Sequence, residues 1–287
     1  MRTLKVYRHG LTMGTAPKSS PHLRAIRGQV QGWSESATRR NTAFLRSAIE
    51  TALPIDGSGA HLTAYAFTLT LKHCPPTPDD WHKLRKAFLM RLKRLGLYRC
   101  HWVTEWQRRG VPHLHGAFWF PSVPGCDPTP IIVLRHWIDL TGELYGSLWE
   151  GQHFTGITDA VGWFKYLSKH ASRGVRHYQR NPKNIPPEWS KKTGRVWGYT
   201  GDWPTAEPIK FELDDSGWFK MRRICRGWRK ADARASGLAF RIRQARSMLS
   251  CSKPDLSRLR GVSEWIPEHV QLAALYLLRS EGCEIVN

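Results

Sequence analysis

The stretch that most constrains this chain is Glu105 to Ala117, reading EWQRRGVPHLHGA. The preceding HWVTEWQ has strand character, and His113-Leu114-His115 follows directly on an RRGVP turn. Side chains alternate faces along a strand. If 101–107 and 113–120 pair as a hairpin closed by 108–112, Glu105, Gln107, His113 and His115 therefore share one face. In that register Gln107 stands opposite His113 and Glu105 opposite His115, with opposed Cβ atoms about 4.5–5.5 Å apart. Two imidazoles, a carboxylate and an amide at such range form a corner able to hold a metal ion. These hard, mixed N/O donors suit Mg²⁺ or Mn²⁺ with positions left for water and phosphate, and Zn²⁺ is less well matched. A lone strand histidine is usually just hydrogen-bonded or exposed, but a pair on one face with an acid across the hairpin is rarer.

The charge of the chain says what such a corner would meet. Lys plus Arg number 44 against 23 acids, a net +21 over 287 residues, which favours a polyanionic partner, either nucleic acid or an anionic membrane surface. MRTLKVYRHG leads into no apolar segment, so no signal peptide is expected. The longest apolar helical patch, QLAALYLL, is too short to span a bilayer. Nucleic acid is the stronger reading. The six cysteines at 74, 100, 126, 225, 251 and 283 show no C-x-x-C spacing. They read as reduced thiols of a cytoplasmic protein.

Along the chain, 1–35 is basic, Gly/Pro/Ser-rich and aperiodic, and reads as an arm. Residues 35–51 can form a helix with Phe44, Leu45 and Ile49 inward. Residues 61–71 have strand propensity, with Tyr65, Phe67 and Leu69 on one face. Trp81, Leu84, Phe88, Leu92 and Leu95 recur at helical spacing over 79–95, with Gly96 as a stop. After the hairpin, 131–149 reads as a helix offering Leu134, Trp137, Ile138 and Leu144 to a core. A short strand in GQHFTGIT and a helix over 159–172 follow. This order predicts an α+β fold, an antiparallel sheet with helices packed on one face and the other open for a site. Residues 174–220 resist assignment. Residues 222–260 hold twelve Lys or Arg against two acids, and a basic helix is expected from about 221. A last amphipathic helix, 264–282, would bury Ile266, Val270, Ala273 and Leu277. No P-loop signature occurs.

The helix after the hairpin contains VGWFKYLSKH, where Tyr166 and Lys169 are three apart and point the same way. A phenol with a pKa near 10 is a poor nucleophile at neutral pH unless a cation or metal favours its ionised form. Lys169 is placed to do that or to bind phosphate. Alone, a Y-x-x-K reads better as a packed tyrosine beside a solvated lysine. Beside a metal corner in a +21 chain it reads as chemistry.

FTLT (67–70), EWQRRG (105–110) leading into PHLHGAFW (112–119), and YLSK (166–169) occur in that order. With these three pieces the chain resembles the HUH endonucleases, in particular the rolling-circle replication initiators of bacterial plasmids and small single-stranded DNA phages. The resemblance covers roughly residues 60–172. It implies an HUH, ferredoxin-like nuclease core over 61–220, between a basic N-terminal arm and helix (1–60) and a basic helical DNA-binding extension (221–287). It implies that His113, His115 and Glu105 hold one Mg²⁺ or Mn²⁺, with Gln107 acting through water or as an orienting neighbour. Tyr166 would attack the scissile phosphate of single-stranded origin DNA, leaving a 5′-phosphotyrosyl link and a free 3′-hydroxyl, while Lys169 steadies developing charge.

Some phage relatives carry a second tyrosine four positions earlier, where this chain has Gly162, so a single-tyrosine enzyme is implied, with Tyr178 and Tyr199 as lesser candidates. Arg108, Arg109, Arg173 and Arg176 would contact backbone phosphates, and a minority of Trp163, Trp197, Tyr199 and Trp203 would stack on unpaired bases. A host helicase and DNA polymerase are the expected partners in the bacterial cytoplasm. A relaxase or transposase would share this chemistry. The alternative of another class is a non-catalytic DNA-binding replication regulator, which would be free to lose the histidines, the acid and the tyrosine. All are intact here.

Overall fold

The computed structural model describes residues 2–14, 32–173, 178–189, 192–250 and 263–287. The chain divides into two units, Ala25–Thr205 and a second made from both chain ends, Met1–Arg24 with Ala206–Asn287.

The central unit holds α1 (Glu35–Ser47), β3 (Leu62–Thr70), α2 (Pro78–Arg94), β4 (Arg99–Trp106), β5 (Pro112–Pro121), α3 (Thr129–Tyr145), β6 (His153–Gly156), α4 (Ala160–Arg173) and β7 (Trp197–Thr200). The five strands form one antiparallel sheet in the order β6-β3-β5-β4-β7. β4 and β5 are buried along almost their whole length, so the sheet is covered on both faces. On one face, Phe67, Phe118, Phe88 and Trp137 meet edge-on, which seats α2 and α3. α2 starts cleanly because Thr77 and Asp80 form a reciprocal capping box. It ends in basic residues that complement the helix dipole.

The other face, which the sequence predicts to be open, is covered in part by α1 and α4. Phe44 of α1 stacks on His101 of β4 at 5.8 Å, and His101 Nε2 meets Asn41 Oδ1 at 2.7 Å. Trp203 packs against Phe44, His101, Trp119 and Phe164 of α4. The physical reason is the aromatic load of that face, which gains from leaving water. Two smaller corrections follow. α3 stops at Tyr145 because Gly146 takes a left-handed cap, leaving Leu144 71% exposed. The GRVWGYT segment, which resists assignment from sequence, supplies the edge strand β7 beside β4.

The second unit contains β1 (Arg2–Tyr7), β2 (Gly10–Met13), β8 (Ile209–Leu213), α5 (Asp215–Ala235), α6 (Ala239–Ser250), β9 (Ser263–Glu264), α7 (Glu268–Ser280) and β10 (Ile285–Val286). Residues 2–13 are thus a hairpin, not part of an arm. They carry Leu4, Val6, Leu11 and Met13 into a core with Trp218, Met221 and Leu278. The strand order is β10-β8-β1-β2-β9. Of the stripe expected in the last helix, Ile266 is buried and Val270 packs against the same core, but Ala273 and Leu277 are exposed, and α7 buries Gln271, Ala274, Leu275 and Leu278 instead. Gln271 sets that phase, since its amide donates to the carbonyls of Tyr7 and Ile266. The basic helix expected from about 221 is α5, which begins at 215 because Asp214 caps it. Cys74, Cys100, Cys126, Cys225 and Cys283 are free; Cys251 lies outside the described residues.

Candidate metal centre

The site begins with a turn. Gln107 N–H donates to Val111 O and Gly110 N–H to Gln107 O, both at 2.9 Å. Gly110 takes φ 82°, a conformation that a three-residue hairpin loop needs at its last position and that glycine adopts without steric cost. The reversal therefore uses 108–110, not 108–112. Pairing runs on to Trp106↔Pro112, with Glu105↔His113 and Val103↔His115. Relative to the expected register the strands slip by two residues, an even number, so every side chain keeps its face. Glu105 moves from opposite His115 to opposite His113, and Gln107 moves out of the corner.

The three ligand candidates meet. One donor atom from each of Glu105, His113 and His115 lies within 4.8 Å of the others, and all three residues are buried. His115 Nε2 is 3.1 Å from His113 Nε2 and 3.7 Å from Glu105 Oε2. Both imidazoles present the same nitrogen to one point. Thr68 Oγ1 lies 2.9 Å from His115 Nδ1 on the far side of that ring, which holds the ring's rotation, as partners of metal-binding histidines do. Burial, the neighbouring His115 and Arg109 push His113 down to about 3 against the pull of Glu105, so its ring is a neutral donor at physiological pH. Two imidazoles and one carboxylate fit a hard divalent cation of the Mg²⁺ or Mn²⁺ kind.

Several neighbours of the site escape a reading of the sequence. Gln179 Nε2 stands 3.3 Å from His113 Nε2. Arg180 Nε donates to Glu105 Oε1 at 2.7 Å, and its guanidinium lies 3.6 Å over the ring of Trp33. Thr68 is findable by strand parity, since it pairs with His115. Arg180 is one cation among 44.

The expected nucleophile stands on α4, whose inner edge is Phe164 and Leu167, both buried. Tyr166 is 42% exposed and stacks on Trp163 at 5.0 Å. Lys169 and Arg173 lie on the same helix, Tyr178 lies in the 3-10 turn Tyr178–Arg180, and Arg176 lies outside the described residues. Tyr199 is half exposed and stacks on Phe44 at 4.2 Å. Trp203 is a core residue and Trp197 packs toward Phe44. In the turn, Arg108 is exposed. Arg109 is engaged with the Gln107 amide oxygen and the carbonyls of Leu71 and Lys72. It braces the turn against the end of β3.

His101, like His113, is pushed down to about 3, chiefly by burial and then by Arg180. The unfolded chain protonates both near 6.5. Between about 3 and 6.5 the unfolded state therefore binds more protons, so stability is full above about 6.5 and falls as pH drops through that window. The slope is about 1.4 kcal/mol per pH unit for each histidine. Urea midpoints at about pH 7, 6 and 5 should fall steadily, and the His101→Gln variant should fall less steeply. Equal midpoints at the two ends of that range would contradict the burial argument.

Comparison with known proteins gives the family. A family model described as a replication-associated protein of the ORF2 type matches residues 64–174, the stretch holding Glu105, His113, His115 and Tyr166. The chain is 50% identical over 289 residues to a "Replication-associated protein" of Pseudomonas phage Pf3, covering 100% of both. It is 46% identical over 293 residues, again 100% of both, to a "Putative replication protein" of Xylella fastidiosa strain 9a5c. Another "Putative replication protein", from strain Temecula1 of the same species, is 47% identical over 271 residues, 92% of this chain and 99% of the other. No solved structure gives a significant match. With similarity running the full length of both chains, the chain belongs to this family of replication-associated proteins.

Proposed function

We propose that this replication-associated protein initiates rolling-circle DNA replication as a metal-dependent tyrosine endonuclease that nicks and rejoins one strand at an origin. The observation that carries the reading is the buried convergence of Glu105, His113 and His115. A buried carboxylate and two histidines aimed at one point are costly to keep for packing alone. A divalent cation held there would polarise the scissile phosphate and offset the charge that builds on it.

The chain's own residues supply the rest. Tyr166 Oη would attack phosphorus, forming the Tyr–O–P bond as the P–O3′ bond breaks. The outcome is a 5′-phosphotyrosyl link and a free 3′-hydroxyl for a host polymerase to extend. Lys169 would favour the ionised phenol or stabilise the transferring phosphoryl group. Reversal, with a 3′-hydroxyl attacking the phosphotyrosine, would rejoin the strand.

Exposed basic residues supply a surface for DNA. On α5, Arg223, Arg226, Lys230 and Arg234 are exposed and recur three or four apart, so they form one ridge. Such a ridge would grip duplex phosphates with strong salt dependence. Among the described residues no helix is long and apolar enough to cross a membrane. A host helicase would open the duplex.

The test is a nicking assay on circular single-stranded DNA carrying the replicon's intergenic region, with purified protein and Mn²⁺. A protein–DNA adduct that survives SDS, maps to Tyr166 and disappears with EDTA is the expected result. Tight, salt-sensitive binding without any adduct would favour the replication-regulator reading instead.

A further inference from the structure

We propose that Arg180 is a positioning residue that ties the metal cluster to the tyrosine helix through one guanidinium bonded to both. The inference rests on the reading of Glu105, His113 and His115 as cation ligands. Nε of Arg180 donates to Glu105 Oε1 at 2.7 Å, and Nη2 donates to the carbonyl of Leu167 at 3.2 Å. Leu167 is the residue next to Tyr166 on α4, and its carbonyl belongs to the backbone that carries the phenol. One rigid, planar group thus fixes the carboxylate at one end and the helix at the other.

The arrangement is poorly explained as stability alone. The Arg180 side chain is fully buried, and Glu105 is 1% exposed. A buried ion pair roughly breaks even against apolar residues of similar volume. Moreover, Nη1 is buried without a hydrogen-bond partner among the described residues, a cost that an apolar replacement would avoid. What an apolar residue cannot do is hold Glu105 by Oε1, leaving Oε2 on the side of His115, while also bonding α4. A lysine cannot do it either, since a single ammonium on a flexible stem lacks the fork that spans two acceptors. Trp33 fixes the fork from above: its ring lies 3.6 Å from the guanidinium, and its Nε1 donates to Thr104 O at 2.8 Å. The net result is a mechanical link from ligand to nucleophile in which the cluster's geometry and the helix position are set together.

The experiment uses the full-length protein and Mn²⁺ alone, with no DNA. Metal binding is followed by electron paramagnetic resonance, and hydrogen exchange by mass spectrometry on peptides covering α4. In the wild type, Mn²⁺ should slow exchange of the α4 amides by about tenfold, because occupying the cluster stiffens the link. Arg180→Lys keeps the charge beside Glu105, so it should lower Mn²⁺ affinity by less than about tenfold, and Arg180→Gln by about 10–100-fold. In both variants, at saturating Mn²⁺, the α4 response should vanish. The proposal is overturned if Mn²⁺ leaves α4 unchanged in the wild type, an arm that needs no variant to fold. It is equally overturned if a folded variant responds as the wild type does. A wild type that shows the α4 response but forms no tyrosyl adduct with origin DNA would sink the nuclease reading and leave the link standing.

Discussion

Replacing Tyr166 with Phe is expected to abolish the covalent protein–DNA adduct while leaving fold and DNA affinity intact. The substitution removes one oxygen and nothing else. Tyr166 is 42% exposed, and its ring stacks on Trp163, a contact that Phe retains. A substitution at an exposed site of this kind costs within about 0.5 kcal/mol. If Tyr166 is the nucleophile, no atom remains to form the phosphotyrosyl bond, and adduct yield should fall by at least about 10³-fold. Affinity for single-stranded DNA, set by phosphate contacts and stacking, should change little. Trapped adducts quantified on denaturing gels against binding by fluorescence anisotropy separate the two effects. The same pair of measurements on Tyr178→Phe and Tyr199→Phe ranks the alternatives. An adduct that survives Tyr166→Phe and disappears with Tyr178→Phe would move the chemistry to the turn that also carries Gln179 and Arg180.

Much of the central sheet is legible in the sequence because local pattern and tertiary burial agree there. Tyr65, Phe67 and Leu69 alternate as a strand must, and all three are buried. Trp81, Leu84, Phe88 and Leu92 recur at helical spacing, and all four are buried in α2. The parts that mislead are those where distant contacts set the outcome. β1 and β2 are short, and besides pairing with each other they need β8 and β9, more than two hundred residues on, to complete their sheet. β7 likewise needs β4 beside it. In α7 apolar residues crowd more than one face, so periodicity cannot choose a stripe, and one buried glutamine does.

The candidate site divides the same way. Parity along two strands puts Glu105, His113 and His115 on one face, and parity survives any even slip in register. The loop length does not follow from parity. Gly110 closes the reversal early, and that alone exchanges the partner of Glu105 and excludes Gln107. Arg180 is illegible for a different reason, since its significance is purely spatial: it lies 75 residues from Glu105 and 13 from Leu167, in a segment without period or motif.

Removing one histidine gives the second large effect, and its sign pattern distinguishes a metal site from a buried polar cluster. His115→Ala takes away one of three donors, so Mn²⁺ affinity should fall by at least about 100-fold, beyond the roughly 10–100-fold typical of losing an orienting neighbour. Thr68→Val, which removes only the hydroxyl at His115 Nδ1, should fall inside that lesser range. Stability supplies the independent readout. An ion that binds only the folded state, present at about 100 times its Kd, stabilises it by about 2.7 kcal/mol. The wild type should therefore melt several degrees higher with Mn²⁺ than with EDTA, and His115→Ala should show no such difference. In EDTA the variant need not be crippled, because Glu105 keeps its ion pair with Arg180 and no charge is left alone in the interior. Glu105→Gln should behave oppositely. It strands the Arg180 guanidinium in a buried site, where an unpaired charge costs about 3–5 kcal/mol, and so should lower the melting temperature even without metal. If instead His115→Ala melts with the same Mn²⁺ dependence as the wild type, the cluster is not where the cation binds, and the catalytic reading loses its centre.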